Sequence, residues 1–250
     1  MAAERGRRPW RRILFAAAVL VIAAALIVGG LLWQGTLQLN RRAASSYQVV
    51  GVDVSTYQGT IDWGVMASQG IDFAFIKATE GSSLLDPEFK ANWAGAQKAG
   101  VLAGAYHFFS FETPGARQAA WFIQNVPPRA GMLPPVVDVE WYNQFKASHP
   151  AKQDVVTQLQ AYLDALEAAY GAKPIIYCSE EMLRDYLGGF GAYPLWVRNV
   201  VEAPRMPWGR FWTFWQYSST TQLKGYKGSQ KFIDMNVFYG TLEQLDAMRL

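Results

Sequence analysis

Four carboxylates stand in short apolar segments, where a fully solvated side chain is not expected. Asp53 lies in GVDVSTYQG, Asp138 and Glu140 in VVDVEWYN, and Asp234 in FIDMNVF. Each segment is rich in β-branched and aromatic residues, the composition of a strand. Residues two apart on a strand point the same way, so Asp138 and Glu140 share a face. Acids gathered in an apolar setting suit chemistry that holds one carboxyl protonated near neutral pH, ready to give a proton to a leaving oxygen. A second acid then stabilises a developing cation or activates the attacking group, and glycoside hydrolysis uses such a set. Neighbouring carboxylates raise the donor's pKa by repulsion. Taken singly, Asp53 and Asp234 fit as well the ordinary role of a strand-end acid binding backbone amides.

The segments between the acids supply the elements that position them. Strand patterns run over 49–55, 72–77, 102–109, 135–138 and 174–178, each followed by a helical pattern. The first of these helices is capped by Asp62, and the second opens at Asp86-Pro87-Glu88 and closes at Gly100. Another opens at Thr113-Pro114. The most regular helix spans about 153–170, with Val155, Leu159, Tyr162, Leu163, Leu166 and Tyr170 on one face and Gly171 at its end. Ser179 with Glu180 and Glu181 starts the fifth. Three further strands, 195–198, 211–217 and 232–238, are joined by Pro-, Gly-, Ser- and Thr-rich stretches with no helical period. The expected fold is therefore α/β: a modified TIM-like barrel of five β/α units followed by three strands. Reactive residues of such barrels sit at the C-terminal ends of strands, so the four acids converge on one mouth.

The front of the chain has another character. Residues 13–33 carry neither a charge nor a strongly polar side chain, and about 20 such residues cross a bilayer as a helix. A signal-peptide apolar region is shorter, roughly 7–15 residues, and ends in a small-residue cleavage site. Five Arg precede the span and two follow it, which places the N-terminus in the cytoplasm and the remainder outside. The expected organisation is a basic cytoplasmic segment over 1–12, one transmembrane signal-anchor over 13–33, a linker over 34–48 and a barrel domain over 49–250. The alternative is secretion after cleavage of the apolar segment. Both export the barrel.

Composition excludes several functions. Residues 1–46 contain seven Arg and one acid, while the rest carries 16 basic and 19 acidic residues. The globular part is slightly acidic and has no basic stripe for nucleic acid. With one cysteine, Cys178, and two histidines, His107 and His149, neither a disulfide nor a Cys- or His-built metal site is expected. No cofactor and no metal is expected.

The chain resembles the family 25 glycoside hydrolases, the lysozymes. The matching pieces are GVDVSTYQGTIDW, FAFIKATEG, GAYHFF, PVVDVEW, IIYCS, PLWV, FWQYS and IDMNVF, in the family's order, over residues 49–240 or so. The resemblance implies a barrel of five β/α units and three closing strands. It also implies N-acetylmuramidase activity, hydrolysis of the β-1,4 bond between N-acetylmuramic acid and N-acetylglucosamine in bacterial peptidoglycan. By position, Glu140 resembles the general acid and Asp138 the acid that steers the substrate acetamido group or tunes Glu140. Asp53 and Asp234 match the two remaining acids of the cleft. Attack by the substrate's own acetamido oxygen, with net retention, and attack by water, with inversion, both remain open. Tyr57, Tyr106, Tyr177, Trp196 and Trp215 match positions that line a glycan cleft, with core packing as the alternative for each. Lys77 and Glu80 lie in a family-like stretch, as an ion pair or as substrate contacts. The chain departs from the family pattern after PLWV, where Arg198-Asn199-Val200 replaces an apolar–Ala–aromatic ending. Peptidoglycan strands are the partner the resemblance implies; a membrane partner is expected from the N-terminal helix, and a monomer is expected. A non-catalytic glycan-binding protein on the same scaffold is the alternative.

Overall fold

The computed structural model describes residues 9–35 and 37–250. The basic segment expected at 1–12 lies mostly outside these residues. Helix α1, Pro9–Trp33, is long and apolar enough to cross a membrane, and none of its described residues is buried. It falls in a compact unit of its own, separate from the unit that begins at Leu39.

That second unit opens with a one-turn helix, α2 (Arg41–Ala44), and then builds a closed barrel. Its first part alternates β1 (Val50–Val54), α3 (Trp63–Ala67), β2 (Phe73–Glu80), β3 (Leu84–Leu85), α4 (Phe89–Lys98), β4 (Leu102–Phe108), α5 (Gly115–Asn125), β5 (Val136–Val139), α6 (Lys152–Tyr170), β6 (Ile175–Ser179) and α7 (Glu180–Asp185). Then come β7 (Leu195–Arg198), β8 (Phe214–Thr221), β9 (Ile233–Phe238) and α8 (Leu242–Asp246). Strands β1, β2, β4, β5, β6, β7 and β8 lie parallel in that order, and β9 closes the ring antiparallel to both β8 and β1. Five β/α units followed by three strands is the expected architecture.

Three details differ from the sequence reading. Strand β3, two exposed leucines pairing antiparallel with β2, adds a hairpin outside the ring. Asp86 does not cap α4, whose N-cap is Glu88. The Asp86 carboxylate instead accepts from the amides of Glu88 at 2.9 Å and Thr56 at 2.8 Å, pinning the turn that carries Tyr57. The linker expected over 34–48 is shorter, because Asn40 and Ala44 are buried against the barrel. Asn40 Nδ2 donates to the carbonyls of Asn199 (2.9 Å) and Tyr217 (3.2 Å). Tyr47 packs its ring 5.0 Å from that of Trp212.

Strand period 2 divides the apolar side chains into two layers. Inside the barrel lie Phe73, Phe75, Leu133, Val136, Ile175, Phe214 and Phe238. Two glycines make room for this filling: a Cβ on Gly51 would stand 2.5 Å from the Phe73 ring, and one on Gly104 would stand 2.8 Å from Phe75. Between barrel and helices lie the alternate residues, among them Ala74, Ile76, Val137, Val139, Ile176, Cys178 and the buried face of α6. This filling ends below the C-terminal end of the barrel, where polar side chains line a cleft.

Candidate active site

The floor of the open end is aromatic. Trp196 packs 4.6 Å from Phe75 and 4.4 Å from Tyr177, with Tyr106 at 6.4 Å. Above it is a cleft of about 250 Å³ whose lining includes Asp53, Asp138, Glu140 and Asp234. Alternation brings them together. Val136 points into the barrel, so Asp138 and then Glu140 follow on the same side, whereas Val137 and Val139 face the helices. Asp53 and Asp234 are opposite one another in the β1–β9 register. Tyr57, Lys77, Tyr106, Tyr177 and Trp196 complete the wall.

Trp215 is absent from this wall. Its neighbours Phe214 and Gln216 turn inward, so Trp215 turns outward into the layer around α2, where Nε1 donates to the Asn199 carbonyl at 2.8 Å. It packs against Tyr47 and Trp212 and cannot stack on a sugar in the cleft. The same alternation takes His107 outward. Thr79 Oγ1 lies 2.7 Å from its Nδ1 and Gln118 Oε1 3.0 Å from its Nε2, and its ring stacks on Tyr162. Gln118 Oε1 can only accept, so Nε2 carries the proton and Nδ1 accepts from the threonine. Burial lowers this imidazole to about 4 and keeps it neutral. Cys178 also faces outward, and burial raises its thiol to about 12, far from a nucleophile's range.

Two amides that the sequence reading missed organise Asp53. Gln216 Nε2 donates to its Oδ2 at 2.9 Å and Asn236 Nδ2 donates to the same atom at 2.8 Å. Each amide is oriented in turn: the Tyr177 hydroxyl donates to Gln216 Oε1 at 2.9 Å and Trp196 Nε1 to Asn236 Oδ1 at 2.8 Å. Two donor chains therefore end on one carboxylate oxygen. Period 2 could have found Asn236, two residues beyond Asp234, but Gln216 needed the strand's facing to be known.

The acids differ in their surroundings. Burial raises the Asp53 carboxyl, against the pull of Asn236, Gln216 and Arg198. Burial, with the charge of Asp53, lifts Asp234 to about 8. Burial and then the charge of Glu140 push Asp138 well above the ordinary carboxylate range, and its Oδ1 has no hydrogen-bond partner. Burial raises Glu140 too, with Arg198 opposing and Asp53 assisting. Lys77, which pairs with Glu80 at 2.7 Å, lowers both Asp138 and Glu140. Four acids in so dry a site cannot all ionise at neutral pH, because each further charge is repelled by the others at low effective dielectric. At least one carboxyl keeps its proton and can donate it.

Relatives share this architecture and sequence. Residues 52–226 match the family described as Glycosyl hydrolases family 25. The Escherichia coli K12 protein YegX, uncharacterised, is 39% identical over 82% of this chain and 75% of its own. Lysozyme M1 of Streptomyces globisporus is 35% identical over 82% of this chain and 72% of its own. The structure of a family 25 glycosyl hydrolase from Bacillus anthracis superposes with a TM-score of 0.78 and 44% identity, covering 82% of this chain and 95% of that one. The chain belongs to glycosyl hydrolases family 25 and is a glycoside hydrolase.

Proposed function

We propose that the protein is a lysozyme that cleaves the β-1,4 bond between N-acetylmuramic acid and N-acetylglucosamine in peptidoglycan, with Glu140 as general acid. The observation that carries this reading is the convergence of four carboxylates, three of them on strands and Glu140 just beyond β5, over an aromatic floor. Glu140 is the half-buried acid that closes the set: its carboxyl is raised yet open to the cleft. Asp138 stands deeper, with an acceptor oxygen left free. An acetamido N–H of the substrate supplies the missing donor, and that contact aims the acetamido oxygen at the anomeric carbon. This favours substrate-assisted attack with retention over direct attack by water. Asp53, fixed by its two amides and by the protonated Asp234 that donates to it, shapes the field around the cationic sugar, with Tyr57, Tyr106, Tyr177 and Trp196 stacking on or edging the glycan. Lysozyme M1, 35% identical, supports the substrate class.

In the same reading α1 is a signal-anchor, with the N-terminus cytoplasmic and the barrel facing the wall. The test is digestion of purified peptidoglycan by the full chain in mild detergent beside Glu140→Gln, with products read by mass spectrometry. New reducing ends on N-acetylmuramic acid, absent from the variant, are expected. Reducing ends on N-acetylglucosamine would overturn the bond assignment, and undiminished cleavage by the variant would overturn the acid.

A further inference from the structure

We propose that Arg198 is a carboxylate-binding residue on the rim of the cleft, which selects glycan whose muramic acid O3 substituent is anionic. The inference rests on the peptidoglycan reading above and adds to it a recognition element that the four acids do not provide. Arg198 is the last residue of β7 and follows Trp196 on the inward face. It is paired in register with Gln216, which lines the cleft and holds Asp53. Two residues along a strand put it about 7 Å above the aromatic floor, just beyond the residues that line the cleft itself. Arg198 is a half-buried residue whose guanidinium makes no ion pair within 4.0 Å and no hydrogen bond among the described residues. Of the two further cations acting on these acids, Lys77, which lines the cleft, is already engaged by Glu80 at 2.7 Å, and Lys146 is exposed beyond Glu140.

The backbone beside Arg198 is held from every side. The Asn199 amide donates to the Gln216 carbonyl at 3.2 Å. The Asn199 carbonyl accepts from Trp215 Nε1 and Asn40 Nδ2. Its side chain donates to Glu180 at 2.7 Å and accepts from the amides of Val201 and Glu202 at 3.0 Å. The rigid backbone fixes where the Arg198 side chain starts, and its planar fork of donors matches a carboxylate bidentately, a gain that must exceed the rotamer entropy lost on ordering the free side chain. An acidic cleft repels an anionic ligand, and an unpaired cation on its rim offsets that repulsion where the ligand enters. The field of Arg198 also lowers Asp53, Asp234 and Glu140, an effect common to every substrate.

The carboxylate has two sources in peptidoglycan: the lactyl group of muramic acid where the peptide has been removed, or acidic residues of the stem peptide where it remains. The experiment uses the full chain in detergent on three substrates: peptide-free glycan, the same glycan with its carboxylates converted to amides, and intact peptidoglycan. The ratio of kcat/KM for the carboxylate form over the amide form is the readout, because altered field on the acids moves both forms alike and cancels. Wild type should favour the carboxylate by about ten- to a hundredfold, the worth of a hydrogen bond between charged groups. Arg198→Gln should bring the ratio close to one through KM, and Arg198→Lys should keep part of it. A wild-type ratio near one, or a ratio untouched in Arg198→Gln, overturns the proposal. An Arg198→Gln loss on intact peptidoglycan identifies stem carboxylates as a second source, and its absence leaves the lactyl group as the source. Affinity of Glu140→Gln for the two peptide-free forms, measured by calorimetry, separates the two readings. Carboxylate preference without cleavage by wild type would sink the lysozyme assignment and keep Arg198, whereas cleavage without preference would do the reverse.

Discussion

Replacing Asp234 by Asn is expected to stabilise the protein at neutral pH by an amount that grows with pH. Burial and the facing Asp53 lift the Asp234 carboxyl from 3.8 to about 8. The unfolded chain releases this proton near 3.8, while the folded chain keeps it until about 8. A carboxyl whose folded pKa is raised contributes its full stability below the unfolded value and loses it as pH rises through the folded one. Between those limits wild type gives up about 1.4 kcal/mol per pH unit relative to a side chain that does not titrate. From 3.8 to pH 7 the difference is about 4 kcal/mol. Asparagine keeps an N–H to offer Asp53, so the opposed pair on β1 and β9 retains its contact. Urea unfolding of both full chains in non-ionic detergent, at pH steps from 4 to 9, reads the effect. The advantage of the variant should be near zero at pH 4, climb through neutrality and level off above pH 8, while activity falls. A difference that does not change with pH, or one that shrinks as pH rises, would refute the argument that Asp234 holds a proton inside a dry site.

Three other substitutions separate the cleft from its supports, alongside Glu140→Gln. Trp215→Phe should weaken folding by about 1–3 kcal/mol through the lost bond to the Asn199 carbonyl while kcat stays at the wild-type level. A collapse of kcat as deep as that of Trp196→Phe would return Trp215 to the cleft. Tyr177→Phe frees Gln216 to turn and weakens one of the two donors that lower Asp53. Its kcat should fall about tenfold, the worth of one hydrogen bond, and the acid limb of the pH–rate profile should move to higher pH; an unmoved limb would argue against the donor chain. Gly115→Ala places a methyl 1.8 Å from the Gln158 carbonyl oxygen where α5 crosses α6. Forcing those helices apart should cost about 1–3 kcal/mol, seen as a lower urea midpoint, and an unchanged midpoint would show that the crossing is loosely packed.

Much of the molecule is written in local pattern. The period-2 runs around Asp53, Asp138, Tyr177, Trp196 and Asp234 gave strands at those places, and the 3.6-residue stripe of 153–170 gave α6, because both periods are fixed by backbone geometry. The apolar run of α1 and the Asp138–Glu140 spacing were legible for the same reason. What the pattern could not supply was the direction in which an isolated strand faces. FWQYS reads equally well with Trp215 or Gln216 inward, and only closure of the barrel, with Arg198 opposite Gln216, decided for the glutamine. Likewise, nothing in NRRAASSYQ marks it as part of the core, because its hold on the barrel comes from Asn40 meeting carbonyls 159 and 177 residues away. The reversal of β9, by contrast, fits its short, helix-free return from β8, since a parallel crossover needs a dozen or more residues. Sequence alone determined the eight strands of the ring, the five helices between them and the positions of the four acids, but not α2, β3 or α8. The tertiary structure decided which neighbours each acid has, and hence which can keep a proton, because burial and field depend on residues far away along the chain.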